Sequence, residues 1–181
     1  FRSTTNTGAI SSGETSGYVP AVYQNSSLRR YVSFYFRAAT LPASADEVIY
    51  AAINTSGVKQ LSIAVESDGT LTLHHQTSGS TIGGSFATST TALSTNTWYE
   101  IEITFDPNNG ANTYELRING STELSGSKDL GTGGTSNWDH DGFGKSINTN
   151  GNTVDWYYDD IYTNTTGFIG AEAVQLLLPI G

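Results

Sequence analysis

The sequence predicts an all-β domain, a two-sheet sandwich or a barrel, on three observations. Apolar and polar residues alternate at period two in roughly a dozen short runs separated by turn-forming residues. No segment carries an apolar stripe at i, i+3, i+4, i+7 of useful length. The 181 residues are 36% hydrophobic and only 14% charged, the balance being largely Ser, Thr, Asn and 20 Gly. That mixture suits pleated strands and turns better than helices. Ten Tyr, seven Phe and three Trp supply material for a core, which argues against disorder. The length suits one domain over 1–181. The chain has no Met, so Phe1 is expected not to be a translational start and the chain to be a piece of a longer one.

In order along the chain, Arg30 to Arg37 alternates Val32, Phe34 and Phe36 against Tyr31, Ser33, Tyr35 and Arg37. Glu47 to Asn54 and Val58 to Glu66 form two further runs, with Leu61, Ile63 and Val65 on one face. Asp68-Gly69 is a two-residue turn of the kind hairpins favour, and Leu71 and Leu73 resume the inward face. The Ser/Thr/Gly stretch 76–96 is expected to hold one strand near Ile82 to Phe86. Trp98 to Phe105 points Tyr99, Ile101, Ile103 and Phe105 inward against Glu100, Glu102 and Thr104. After the turn formers Asp106 to Gly110, Asn112 to Ile118 returns, and Asn119-Gly120 turns into Ser121 to Leu124. A Gly-rich connection over Gly126 to Gly134 follows, then strands at Trp138 to Lys145, Val154 to Thr163 and Ala171 to Leu178.

Eight Lys and Arg against 17 Asp and Glu leave a net charge of −9. A phosphate backbone or an anionic membrane surface repels such a protein. No apolar run approaches the roughly 20 residues of a membrane-spanning helix. Without Cys there are no disulfides, zinc-thiolate sites or thiol nucleophiles.

The stretch Asn96 to Asp106, its Gly-containing loop, and Tyr114-Glu115-Leu116-Arg117-Ile118-Asn119-Gly120 resemble the central hairpin of concanavalin A-like and laminin-G-like jelly rolls. Gly142-Phe143-Gly144-Lys145 and Val154 to Tyr162 are similar to that family's closing strands. The likeness covers about Leu28 to Leu178 and implies a two-sheet antiparallel jelly-roll sandwich. A narrower resemblance is to tailed-bacteriophage virion proteins of this fold. It rests on Arg30 to Arg37, Asp68-Gly69-Thr70-Leu71-Thr72-Leu73, Tyr158 to Gly167 and Gly170 to Pro179. It implies a non-enzymatic capsid decoration, fibre or adhesion module on a virion or extracellular surface. Its partners would be other virion proteins, further copies of the chain, and surface glycans. The virion form has a longer insertion after the Thr-Gly and more chain after the Leu-Pro than this sequence does.

Four constellations could carry chemistry. Glu100 and Glu102, two apart on one strand, point to one face roughly 7 Å apart, a spacing open to acid–base cleavage of a glycoside. The jelly-roll glucanases they would resemble carry a third carboxylate that Glu100 to Phe105 lacks, so the bland expectation is a solvated outer face. Tyr31, Tyr35, Trp98, Trp138, Trp156 and Tyr157 could stack on sugar rings, with Trp138, Trp156, Tyr157 and Tyr35 the leading glycan-binding candidates. Asp139, Asp141, Asp159 and Asp160, with Asp155 nearby, form the densest acidic group and are candidate calcium ligands. In a regular strand Asp159 and Asp160 project to opposite faces, and an inward one would more simply accept a Tyr or backbone hydrogen bond. His74 and His75 are consecutive and cannot share an ion, and His140 lies between two Asp without a Ser nucleophile motif. The alternative to a virion module is a carbohydrate-binding module of a secreted polysaccharide-active enzyme, or a glycosidase or lyase using Glu100 and Glu102.

Overall fold

The computed structural model describes residues 2–4, 17–19, 29–44, 46–54, 58–75, 83–107, 111–130, 139–144 and 154–170. Over these it has twelve strands: β1 (Arg2–Thr4), β2 (Gly17–Val19), β3 (Arg30–Thr40), β4 (Glu47–Ile53), β5 (Lys59–Val65), β6 (Thr70–His74), β7 (Ser85–Ala92), β8 (Tyr99–Phe105), β9 (Ala111–Ile118), β10 (Ser121–Asp129), β11 (His140–Phe143) and β12 (Asp155–Asn164). They form two six-stranded antiparallel sheets, in the orders β1-β12-β3-β8-β9-β10 and β2-β11-β4-β5-β6-β7. Neighbours in sequence mostly stay together (β4 to β7, β8 to β10), while β3 and β11 insert beside strands far along the chain. The fold is the two-sheet jelly-roll sandwich.

The inward faces meet as the alternation requires. Phe34, Phe36, Ile101, Ile103, Leu116, Trp156 and Tyr158 of the first sheet are buried against Tyr50, Leu61, Ile63, Leu71, Leu73 and Phe143 of the second. Phe34 stands edge-on to Phe143 at 5.2 Å and stacks on Tyr50 at 5.9 Å, so one ring from β3 joins two strands of the facing sheet. The Tyr158 hydroxyl donates to the Ile49 carbonyl across the layers at 3.1 Å.

Asn119 (φ 50°) and Gly120 (φ 76°) are both left-handed, the backbone of the tight turn their sequence predicts between β9 and β10. Elsewhere the strands differ from expectation for identifiable reasons. The strand placed near Ile82 runs from Ser85 to Ala92. As the edge of its sheet it is half-exposed, and its Thr and Ser residues carry β-propensity without an apolar alternation to mark them. β10 continues through Gly126 to Asp129, where a connection was expected. Gly126 fits closely there: a Cβ would stand 2.9 Å from the Tyr114 hydroxyl of the neighbouring strand, whose ring would have to shift. β1 and β2 are too short to show a period and were not anticipated. The strand expected at Ala171 to Leu178 lies outside the described residues.

Candidate functional site

Whatever alternates away from the core of the first sheet lands on its outer face, and cross-strand register arranges those side chains in rows. One row sets Tyr157 beside Arg37. The Arg37 guanidinium lies 4.2 Å from the Tyr157 ring centroid and 5.3 Å from that of Trp98, held between two aromatics. The next row is Asp159, Tyr35 and Glu100, and the one beyond it Tyr162, Ser33, Glu102 and Arg117. Among the described residues, Trp98 (42% exposed) and Tyr162 (51%) are the large hydrophobics left exposed. They bracket the Tyr35–Glu100 row from opposite ends, with Arg37 and Ser33 about 13 Å apart along β3.

Glu100 and Glu102 share this face as predicted, but they are not solvated. Their exposures are 3% and 1%. After β12 the Asn164 side chain accepts from the Thr166 and Gly167 amides, turning the chain back over the sheet. Phe168 then sits edge-on to Tyr31 at 5.0 Å with the Arg117 guanidinium 3.7 Å from its ring centroid. Glu102 Oε1 accepts the amides of Ile169 and Gly170, both at 3.1 Å. The sequence held no local signal for this cover, since it joins residues 67 and 68 positions apart. Burial, then the neighbouring Glu102, raises the Glu100 carboxyl pKa against the lowering effect of the Ser33 hydroxyl bond. Burial, then Glu100, Asp160 and Glu102, raises the Tyr35 phenol likewise. Both carboxylates are thus enclosed, and Glu102 is engaged by two backbone amides.

The leading sugar-stacking residues divide. Tyr35 and Tyr157 lie half-buried on the outer face. Trp156 belongs to the core: it is fully buried, 5.6 Å from Phe36, and its indole N–H donates to the Thr40 carbonyl at 3.1 Å. The alternation of β12 sends Trp156 and Tyr158 inward and Tyr157 outward, so Trp156 cannot meet a ligand. Trp138 lies outside the described residues. Tyr162 was not among the candidates, because a register irregularity between Asp159 and Tyr162 sets its exposure and is invisible to a strict period-two reading.

The four aspartates named for calcium are not brought together. Asp139 precedes β11 and Asp141 lies in it, on the second sheet, whereas Asp159 and Asp160 are exposed on β12 of the first. Asp141 is buried and accepts the Tyr50 hydroxyl at 2.8 Å, which is the bland alternative for a carboxylate turned inward. Asp159 and Asp160 do not project to opposite faces of a regular strand, because Asp160 takes a left-handed φ of 45° at the irregularity. Among the described residues, the group close enough to share an ion is Asp46, Glu66 and His74. Sequence reasoning passed over it, since only the register of three strands unites residues so far apart in the chain.

No protein-family model and no curated protein matches the sequence. Solved structures do match in fold. One is botulinum neurotoxin type C, whose access to cells depends on interaction with two ganglioside molecules; it has a TM-score of 0.55 and 16% identity, and the match covers 80% of this chain and 34% of that one. The binding domain of serotype G aligns with a TM-score of 0.52 and 14% identity over 80% of this chain and 35% of the toxin chain. An alginate lyase of polysaccharide lyase family 7 gives 0.51 and 12%, covering 75% of this chain and 58% of the lyase. This chain thus spans about a third of the toxin chains, and at these identities the likeness is one of fold. Among the described residues no helix is long and apolar enough to cross a membrane.

Proposed function

We propose that this chain is a non-catalytic glycan-recognition module working at an extracellular or virion surface. The observation that carries the reading is the outer face of the first sheet. There the exposed Trp98 and Tyr162 stand on either side of the Tyr35 row, with Tyr157 and Arg37 beside Trp98 and the exposed Asp159 carboxylate beside Tyr35, giving aromatic rings next to hydrogen-bonding groups. Aromatic faces suit the C–H side of a pyranose and polar tips suit its hydroxyls. The span between the two exposed aromatics favours an oligosaccharide over a single sugar. The net charge of −9, with Asp159 and Asp160 exposed beside this face, favours neutral sugars over sialylated or uronic ones. Cell entry of the type C toxin, about a third of whose chain aligns with this one, depends on two ganglioside molecules, which supports a glycan partner in general without fixing where on the toxin it binds or which sugar this chain takes.

The virion setting rests on the sequence resemblance alone, and an acidic, Cys-free surface suits a module carried in many copies. The same face would equally serve a carbohydrate-binding module within a longer polysaccharide-active protein. A glycan array with the 181-residue chain tests the recognition. Saturable binding to neutral oligosaccharides, lost in Trp98→Ala and Tyr162→Ala, is expected. Binding that survives both substitutions places the site elsewhere, and polysaccharide cleavage abolished by Glu100→Gln would restore the enzymatic alternative. Immunolabelling of particles separates virion from enzyme context.

A further inference from the structure

We propose that Asp46, Glu66 and His74 bind a divalent transition-metal cation of the zinc type on the outer face of the second sheet. The Glu47–Val65 pairing, continued one step, sets Asp46 opposite Glu66, while Ala64 pairs with Thr72 and Ser62 with His74. Asp46, Glu66, Thr72 and His74 therefore surround Ala64, whose small side chain leaves room for them to converge. The donor atoms of the two carboxylates and the imidazole all lie within 4.8 Å of one another. Tetrahedral zinc with bonds of about 2.0–2.2 Å holds two ligands about 3.3–3.6 Å apart, so the Nε2–Asp46 pair at 3.0 Å opens slightly and any pair near the 4.8 Å limit closes by about 1 Å, a movement open to the partly exposed Asp46 and Glu66 side chains.

The imidazole is the second, independent pointer. His74 is only 4% exposed, and its Nδ1 lies 2.9 Å from the Gly83 carbonyl, which can only accept. Nδ1 therefore donates to it, the orientation that a backbone carbonyl imposes on metal-binding histidines, and Nε2 faces the cluster. Nε2 lies 3.0 Å from Asp46 Oδ2. Either a proton on Nε2 or a cation between the two atoms holds a contact this short. The Thr72 hydroxyl, 2.9 Å from Nε2 and 3.1 Å from Glu66 Oε1, has one proton and can serve only one of them. A divalent ion accepts electron pairs from Nε2 and both carboxylates together and cancels their two negative charges. One nitrogen with two oxygens suits zinc or manganese, whereas calcium takes six to eight oxygens. Water or the Thr72 hydroxyl would complete the coordination.

Calorimetric titration of the EDTA-stripped chain with zinc sulfate at pH 7.5, beside thermal melts, tests the site. One equivalent should bind, and Tm should rise by roughly 5–10 °C at a hundredfold excess over Kd. Asp46→Asn and Glu66→Gln, chosen because both side chains are partly exposed and neither fills the core, should keep the wild-type fold by circular dichroism and weaken binding at least roughly tenfold. A wild-type chain that binds no zinc overturns the proposal, since a proton on Nε2 then suffices. So does zinc binding unchanged in both variants, which would move the ion elsewhere, for instance to Asp139 and His140. Calcium binding without zinc binding overturns the assigned metal class.

Discussion

Trp98 and Trp156 show how one residue type serves two ends of the molecule. Trp156 is enclosed by the core, so Trp156→Ala removes a large buried ring and orphans the Thr40 carbonyl. It should cost about 3–5 kcal/mol, read as a lower midpoint in urea unfolding. Trp98 is 42% exposed beside the Arg37 guanidinium, so Trp98→Ala should cost no more than about 1 kcal/mol. Its effect belongs to sugar binding. The Glu100 carboxyl makes a pH prediction. Its pKa in the folded chain is raised above the ordinary 4.5, so the carboxylate form penalises folding. The penalty is absent below the unfolded value, grows between the unfolded and folded values, and is constant above the folded one. Glu100→Gln should accordingly melt higher than wild type at pH 7, with the difference shrinking toward zero near pH 4. A wild-type chain that melts higher at pH 7 would contradict the burial of this group.

At the level of elements, turns and edges govern how the sheets hold together. The turn between β5 and β6 closes with the Gly69 amide donating to the Glu66 carbonyl at 3.0 Å, and Asp68 caps it by accepting the Thr70 amide and hydroxyl. Gly69 sits at φ 88° with its carbonyl accepting the Leu93 amide, and a Cβ there would lie 2.4 Å from the Leu93 carbonyl oxygen. Gly69→Ala combines left-handed strain with a backbone clash and should lose at least about 1–2 kcal/mol. Hydrogen exchange should show the loss first as weakened protection at Leu93 and in β6. At the far edge, Glu123 of β10 accepts the Thr91 hydroxyl at 2.6 Å and its amide at 3.2 Å, joining the first sheet to β7 of the second.

Across the whole molecule, an aromatic layer rather than any single bond unites the sheets. Phe34, Phe36, Tyr158 and Trp156 of the first sheet meet Tyr50 and Phe143 of the second, and the phenol of Tyr158 is the polar group shared between them. Burial holds that phenol well above its ordinary range, so it donates at every physiological pH. Tyr158→Phe keeps the ring and removes one of two donors to the Ile49 carbonyl, which still accepts the Gly144 amide at 3.1 Å. A loss of about 0.5–1.5 kcal/mol is expected, as a drop of a few degrees in a transition that stays single when followed by tryptophan fluorescence and circular dichroism together.

Much of this architecture was legible because period-two alternation assigns each side chain to a face before any partner is known. Val32, Phe34 and Phe36 faced inward on that basis, as did Ile101 and Ile103, and Asn119-Gly120 announced its own turn. Burial of an outward face was not legible. Nothing in Glu100-Ile101-Glu102 foretells that Phe168, Ile169 and Gly170 will fold across it, nor does any spacing unite Asp46, Glu66 and His74. The exposure of Tyr162 likewise depends on a slipped register in β12. Local chemistry thus set which residues form strands and turns and which point to the core, since those choices depend on neighbours one to four positions away. Only the tertiary structure decided which outward carboxylates are dry, which aromatics meet water and which distant side chains converge, because those outcomes depend on strand order and on the segments that cover each sheet.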